Sequence, residues 1–396
     1  MVKVYVTGLG IITSLGDSLQ SNQEALRAGR CGIGSLNCFS SKYAQSLLFG
    51  EIKSTNDQLK EFLHITEPGV SRTSLLALHA FNQAVLCAGL NGNDLSSSNT
   101  ALIIANTVGG MCLTDELYQD ANQNNFGSEY ISSYDCGSVG IFLQAKFNIR
   151  GIVNTINTAC SSSANAIMYG TRLIKKGLAA KVIIGGTDSL AKFTINGFNS
   201  LHILSPGLCA PFDNNRNGLN LGEGAAFLVL ESENEIKNKK VYAEIKGYAN
   251  ANDAFHPSTL SENGDGPYLA MEKALKAASL EPCDIDFINT HGTGTENNDE
   301  VESKAMTRLF NNRVPAFAST KSNVGHTLGA SGAIEAVYCI LNLLHQEIYP
   351  SLNFKEPIVN TGLIPNQRYY KTKLQNVMSN SFGFGGNCSS LIFSKV

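Results

Sequence analysis

Charge is what this chain has least of. Asp, Glu, Lys and Arg make up 16% of its 396 residues, 33 acidic against 30 basic, for a formal net charge of −3. So even a balance provides no global field for a nucleic acid or an anionic membrane surface, and neither partner is expected. No apolar run approaches the roughly 18 residues that cross a bilayer, so no membrane span is expected. Ten cysteines are present, but no CxxC pair and no zinc spacing. That argues against a metal and fits free thiols in a reducing cytoplasm. The chain begins directly on the strand-like Val2-Lys3-Val4-Tyr5-Val6-Thr7, so no signal peptide is expected and the location is read as cytoplasmic. The order G-x-x-x-x-G-K-[ST] is absent, and Gly8-Leu9-Gly10 lacks the third glycine of a dinucleotide fingerprint. Tryptophan is absent too, yet 43% of the residues are hydrophobic. That is ample for a large core, and it excludes a disordered chain.

What is there alternates between strand-like and helix-like runs, the pattern of an α/β fold. Strands are expected at 2–7, 100–105, 152–157, 181–186, 225–231, 241–248, 285–290, 315–319, 376–380 and 390–394. Helices are expected at 21–28, 72–89, 162–177, 267–279, 298–309 and 330–346. The polar stretch from Glu231 to Lys240 reads as a surface connection between two halves, 1–235 and 236–396. The halves resemble each other in order. Val4-Tyr5-Val6-Thr7-Gly8 matches Ala243-Glu244-Ile245-Lys246-Gly247, and Ala101–Ile104 with Gly109-Gly110 matches Asp286–Asn289 with Gly292 and Gly294. The region around Cys160 matches Ala316–Thr320. A repeat of this length predicts a duplicated α/β unit with its two sheets packed together.

Cys160 lies between the β-branched run Ile152–Ile156 and the small-residue stretch leading to Ala166-Ile167-Met168. That is strand, sharp turn, helix, with the thiol near a helix N-terminus. Unpaired N–H groups and the macrodipole favour an anion there, so a depressed thiol pKa and a nucleophile are expected. The alternative is a small buried hydrophobe, one of ten cysteines. His291 follows an apolar strand and opens the loop His-Gly-Thr-Gly-Thr, with Thr293 and Thr295 suited to an amide-rich substrate arm. Loops at sheet ends are where α/β folds hold ligands. Lys321 and His326 share a Gly/Ala-rich segment, and Glu335 follows nine residues later. Lys and Glu are seldom buried unless paired, so a Lys321–Glu335 pair beside a histidine is expected. Near the C-terminus, Ser381-Phe382-Gly383-Phe384-Gly385-Gly386 is a glycine loop able to aim N–H groups or to move.

Taken together, Thr158-Ala159-Cys160-Ser161-Ser162-Ser163, His291-Gly292-Thr293-Gly294-Thr295, Lys321-Ser322-Asn323-Val324-Gly325-His326 and Gly383-Phe384-Gly385-Gly386 resemble the elongating β-ketoacyl-[acyl carrier protein] synthases of the thiolase superfamily. The resemblance runs from the first strand to the last. It implies a thiolase-like fold, two similar halves in a layered αβαβα architecture, with the nucleophile in 1–235 and both histidines in 236–396. It implies an acyltransferase in which Cys160 holds an acyl chain as a thioester. His291 and His326, neutral and with modestly lowered pKa values, would stabilise the charge formed as malonyl-carrier loses carbon dioxide. The N–H groups of Cys160 and Phe384 would form the oxyanion hole, and Thr293 and Thr295 would receive the pantetheine arm. Lys321 with Glu335 and Asp299 would fix the charge around the histidines. Val108, Phe198 and Phe384 would line or gate the acyl pocket. No cofactor is implied beyond the phosphopantetheine arm of acyl carrier protein, which is the expected partner.

The resemblance also implies a dimer, either of two copies or with a second ketosynthase-like chain. A basic patch for the acidic carrier is sought at Arg172, Lys175, Lys176 and Lys181. The chain departs from the family pattern at Asn387-Cys388 and in the shortened stretch from Leu204 to Asp213. Those departures bear on substrate shape and leave an aryl-polyene-like pathway beside fatty-acid elongation. A non-catalytic chain-length partner and a Claisen enzyme using coenzyme A thioesters are the competing classes.

Overall fold

The computed structural model describes residues 2–396 apart from 126, 237, 238 and 312. Lys237 and Asn238, within the expected polar connection, therefore lie outside the described residues. The strands in chain order are β1 (Val4–Thr13), β2 (Thr100–Ala105), β3 (Val153–Ile156), β4 (Lys181–Asp188), β5 (Gly224–Ser232), β6 (Ala243–Asn252), β7 (Phe287–Asn289) and β8 (Ala316–Ala318). Then come β9 (Glu347–Ile348) and β10 (Tyr370–Lys371), paired only with each other, and finally β11 (Asn376–Gly383) and β12 (Asn387–Ser394).

Ten of these strands form one sheet in the order β3-β2-β4-β5-β1-β6-β12-β11-β7-β8. Reading outward from β1 and from β6 gives the same sequence of pairings twice. Two antiparallel partners come first, then two parallel ones. The internal repeat read from the sequence is therefore a repeat of topology. The two five-strand sets do not pack sheet on sheet as expected. They join edge to edge through two residue pairs, Tyr5 with Glu244 and Val6 with Ala243, and two helices lie between them. The helix Ser162–Lys175 packs on β2 and β4 but also on β12, while Ser331–His345 packs on β5 and also on β11. The helix Arg72–Cys87 covers the outer face of the first set, and Asp265–Ala278 covers the second. These are the five layers expected.

Position explains composition. A helix enclosed on all sides is apolar all round. Leu328 to His345 accordingly reaches the length and apolarity of a membrane-crossing segment, which the sequence was not expected to contain, yet it is 89% buried inside the protein. β1 runs on past Thr7 to Thr13 because Gly8 and Gly10 are packing positions, not a turn. A Cβ at either would stand 2.4 or 2.0 Å from the carbonyl oxygen of Ala84 or Ala80 on the covering helix. Glu231, expected on the surface connection, is buried in β5. There it accepts from Thr7 Oγ1 at 2.6 Å and from Lys239 Nζ at 2.8 Å.

Helices at Asn56–Leu63, Thr114–Gln123, Ser138–Phe147 and Lys192–Ser200 were not expected. Thr114–Gln123 buries no residue and Lys192–Ser200 only Ile195, so neither carries the apolar stripe that marks a helix in sequence.

Candidate active site

The repeat places the chemistry-bearing loops at one end of the sheet. Cys160 follows β3 and His326 follows β8, the topological equivalents; each precedes one of the two central helices. The turn at Cys160 is sharp because Ala159 adopts φ +54°, a left-handed conformation that costs an alanine about 1–2 kcal/mol. Neighbouring hydroxyls hold it there. Ser161 Oγ donates to the carbonyl of Thr158 at 2.8 Å, and the N–H of Thr158 donates to Ser162 Oγ at 2.9 Å. Gly383 of β11 lies against this turn. A Cβ there would stand 2.7 Å from the carbonyl oxygen of Thr158 and 3.2 Å from the nitrogen of Cys160.

The thiol sulfur and a ring nitrogen from each of His291 and His326 lie within 4.8 Å of one another. The two rings meet edge to face with centroids 5.4 Å apart. All three residues are buried. Nδ1 of His326 takes the N–H of Leu328 at 3.1 Å, with Ser331 Oγ at the same distance. Nδ1 of His291 lies 3.3 Å from Nζ of Lys321, which itself pairs with Glu335. A backbone N–H and an ammonium are donors only, so both Nδ1 atoms are acceptors and each ring carries its hydrogen on Nε2.

Burial pushes both histidines well below 6.5, and the charge of Lys321 adds to it. Both are neutral at pH 7, displaced further than the modest shift expected. Cys160 departs from expectation in sign. Burial pushes its thiol up to about 11, against the pull of Lys321 and of the N–H groups of Phe384 and of Cys160 itself. Desolvation of an enclosed sulfur outweighs the helix terminus. The resting pair is thiol and imidazole.

Could the same three residues hold a metal? A tetrahedral zinc site needs ligand atoms about 3.5 Å apart and a lone pair on each histidine facing the ion. Here the facing Nε2 is protonated, and the Lys321 charge stands behind it. The donor set does not fit.

A cavity of about 530 Å³ opens onto Cys160, His291 and His326. Thr293 and Thr295 line it, their hydroxyls 2.8 Å apart. Phe198 and Phe384 also line it, their rings stacked at 16° with centroids 5.9 Å apart. Gly385 and Gly386, at φ +81° and +77°, turn the chain after Phe384. Val108 is buried in an apolar cluster with Leu190, Ile195 and Leu328, against Phe198, but does not line the open cavity.

Two expectations change place. Asp299 does not touch the histidines; it accepts the N–H groups of Phe212, Thr293 and Gly294 and so holds the threonine loop. The carboxylate under His291 is Glu302, which sequence reading passed over. It accepts the N–H of His291 and of Gly292, both at 2.9 Å, and burial lifts it to about 7. Its signal was available, because Asp299 and Glu302 are one turn apart on the helix Glu296–Leu309 and share a face. Three of the four basic residues sought for a carrier patch are engaged with other groups. Arg172 and Lys175 sit over the ring of Tyr248, and Lys181 pairs with Glu235 at 3.0 Å. Arg172 is twelve residues, about 18 Å, along the helix from Cys160, and none of Arg172, Lys175, Lys176 and Lys181 lines the cavity.

Residues 1–235 match the N-terminal domain of beta-ketoacyl synthase, and residues 242–355 match its C-terminal domain. A putative mitochondrial 3-oxoacyl-[acyl-carrier-protein] synthase of Schizosaccharomyces pombe is 33% identical, with 100% of this chain and 99% of the relative covered. The solved ishigamide ketosynthase/chain length factor superposes with a TM-score of 0.94 at 28% identity, covering 100% of this chain and 99% of that one. The ketosynthase ApeO, solved in complex with its chain length factor ApeC from Xenorhabdus doucetiae, superposes at 0.87 with 30% identity, covering 100% and 98%. Buried thiol, paired neutral histidines and these full-length likenesses lead to one statement: the chain belongs to the beta-ketoacyl synthase family.

Proposed function

We propose that this protein is a 3-oxoacyl-[acyl carrier protein] synthase that lengthens a carrier-bound acyl chain by two carbons. One observation carries the reading: a buried thiol faces two histidines whose Nε2 atoms are donors, at the floor of a cavity with a threonine-lined wall.

The chemistry follows from those atoms. Cys160 Sγ attacks the acyl thioester on the carrier, with the developing oxyanion received by the N–H groups of Cys160 and Phe384. The new C–S bond forms as the carrier's C–S bond breaks. Because both Nε2 atoms already hold hydrogens, the thiol proton goes to the departing carrier thiol. Malonyl-carrier then enters with its arm along Thr293 and Thr295. Its C–C bond breaks, carbon dioxide leaves, and the electron pair moves into the thioester carbonyl. The enolate oxygen so formed is received by the Nε2–H of His291 and His326. The enolate carbon attacks the Cys160 thioester, a C–C bond forms, and the cysteine sulfur leaves as a thiolate that takes up one proton from solvent. No cofactor is needed, since donors and nucleophile all come from this chain.

The reading divides the chain into 1–235, which supplies Cys160, and 236–396, which supplies both histidines. Ten free thiols favour a cytoplasmic setting. Two solved likenesses, at 28% and 30% identity, are a ketosynthase/chain length factor and a ketosynthase in complex with its chain length factor. This favours a second reading in which the chain is the catalytic member of a heterodimer rather than of a homodimer. A purely non-catalytic partner is disfavoured by the presence of Cys160, His291 and His326 together.

Purified protein incubated with acyl-carrier and malonyl-carrier should yield a 3-oxoacyl-carrier two carbons longer, seen by intact mass, and Cys160→Ala should yield none. Repeating the assay with coenzyme A thioesters separates the Claisen alternative. Product from the alanine variant would sink the proposal.

A further inference from the structure

Among the buried carboxylates that the steps above do not use, one reaches the turn behind His326. Asp188 closes β4 and is fully enclosed. It accepts the N–H of Thr107 at 3.0 Å, the N–H of Val108 at 2.8 Å and Thr107 Oγ1 at 2.7 Å. It also accepts the N–H of Gly329 at 2.7 Å. One side chain thus joins the loop after β2, which carries Val108, to the turn that carries His326.

That turn is strained. Leu328 stands at φ +53°, a conformation that costs a branched side chain about 1–3 kcal/mol and persists only where its surroundings hold it. The N–H of that same Leu328 donates to Nδ1 of His326. The peptide unit that follows Leu328 is the one Asp188 grips through Gly329. The grip is tight, because a Cβ at Gly329 would stand 2.8 Å from Asp188 Oδ2.

We propose that Asp188 is a positioning residue for His326: by holding Gly329 it keeps the strained Leu328 turn closed, and so keeps the histidine's hydrogen on Nε2. It touches neither substrate nor the reacting atoms. Without it the turn relaxes, the Leu328 N–H swings off Nδ1, and the ring is free to take the other tautomer. The Nε2–H donor is then lost for part of the time. Decarboxylation depends on that donor, whereas acyl transfer to Cys160 uses the backbone N–H pair. The inference rests on the proposed condensation for its kinetic part and on geometry alone for its tautomer part.

The test uses the full chain. In Asp188→Asn, malonyl-carrier decarboxylation should fall by roughly a hundredfold in kcat, as for a misplaced catalytic group, with KM little changed. Loading of Cys160 from acyl-carrier, followed by intact mass, should stay within a few-fold of wild type. Nitrogen-15 spectra of histidine-labelled protein should show His326 as the pure Nε2–H tautomer in wild type and as a mixture in the variant. Gly329→Ala, which pushes the turn off Asp188 from the other side, should reproduce both effects. The double variant should be no worse than either single one. Equal loss of loading and decarboxylation, or an unchanged His326 tautomer in folded variants, would overturn the proposal. If wild type decarboxylates nothing, the proposed condensation fails, but the tautomer spectra still decide the role of Asp188.

Discussion

Nζ of Lys321 lies 3.3 Å from Nδ1 of His291 while also pairing with Glu335. One ammonium therefore sets the tautomer of a histidine and neutralises a buried carboxylate. Lys321→Met should remove both effects. Stability should fall by about 3–5 kcal/mol, because a buried charge loses its partner, and Lys321→Met/Glu335→Gln should recover much of it. Decarboxylation should stay low in both. Urea unfolding of single and double variants checks this; equal stabilities would refute the pairing.

Glu335 supplies a pH signature. Burial raises its folded value from 4.5 to about 7. A carboxyl raised on folding stabilises below its unfolded value, and that contribution disappears as pH rises through the folded one. Glu335→Gln should therefore compare least well with wild type near pH 4.5, and the gap should narrow by pH 7. Melting temperatures from pH 4.5 to 8 measure it, and a gap that widens with pH contradicts the assignment.

Cys160 should behave as a hidden thiol. With its pKa raised to about 11, the thiolate is about one part in ten thousand at pH 7. Alkylation by iodoacetamide, read by peptide mass, should climb tenfold per pH unit from 7 to 10 without levelling. A plateau near pH 8 would show the helix terminus winning over burial. Acylation by thioester should nonetheless proceed, because the oxyanion donors act on the transition state.

Gly383→Ala should shift the turn at Cys160, given the 2.7 Å approach to the carbonyl oxygen of Thr158. Overpacking of this kind costs about 1–3 kcal/mol, and loading of Cys160 should fall further than stability does. Intact-mass loading alongside a thermal melt distinguishes the two; normal loading would show that the turn tolerates the methyl.

The stacked rings of Phe198 and Phe384 predict a coupled gate. Such pairs contribute about 0.5–1.5 kcal/mol beyond area. Phe198→Ala and Phe384→Ala should each change loading rates for long acyl chains more than for acetyl. In a double-mutant cycle their effects on stability should be non-additive by about 1 kcal/mol. Strict additivity would mean the rings act independently.

Much of this was legible in the sequence, for physical reasons. Cys160, His291 and His326 each follow a short β-branched or apolar strand and enter a run of small residues, so strand, loop and helix could be placed around them. The doubled order of pairings was visible because both sets needed the same apolar runs. The resemblance then tied distant motifs into one reaction. Asp188 escaped because its partners are mostly backbone N–H groups, which leave no trace in residue identity, and Glu302 because Asp299, one turn away on the same face, was taken in its place. The thiol's pKa was misread for a related reason: a helix terminus is local and visible in a sequence, while burial by β11 and the histidine loops is not. Arg172, Lys175, Lys176 and Lys181 are close in sequence, but they lie at the far end of the helix from Cys160 and at the start of β4, and none lines the cavity.

The edge joint between β1 and β6 has a consequence for the newborn chain. The thiol rides on one strand set and its two donors on the other, and only two residue pairs bridge the sheet between them. A chain with one set formed owns either a sulfur that nothing assists or imidazoles with nothing to serve. The cluster of thiol and imidazoles is thus complete only once both strand sets are in place.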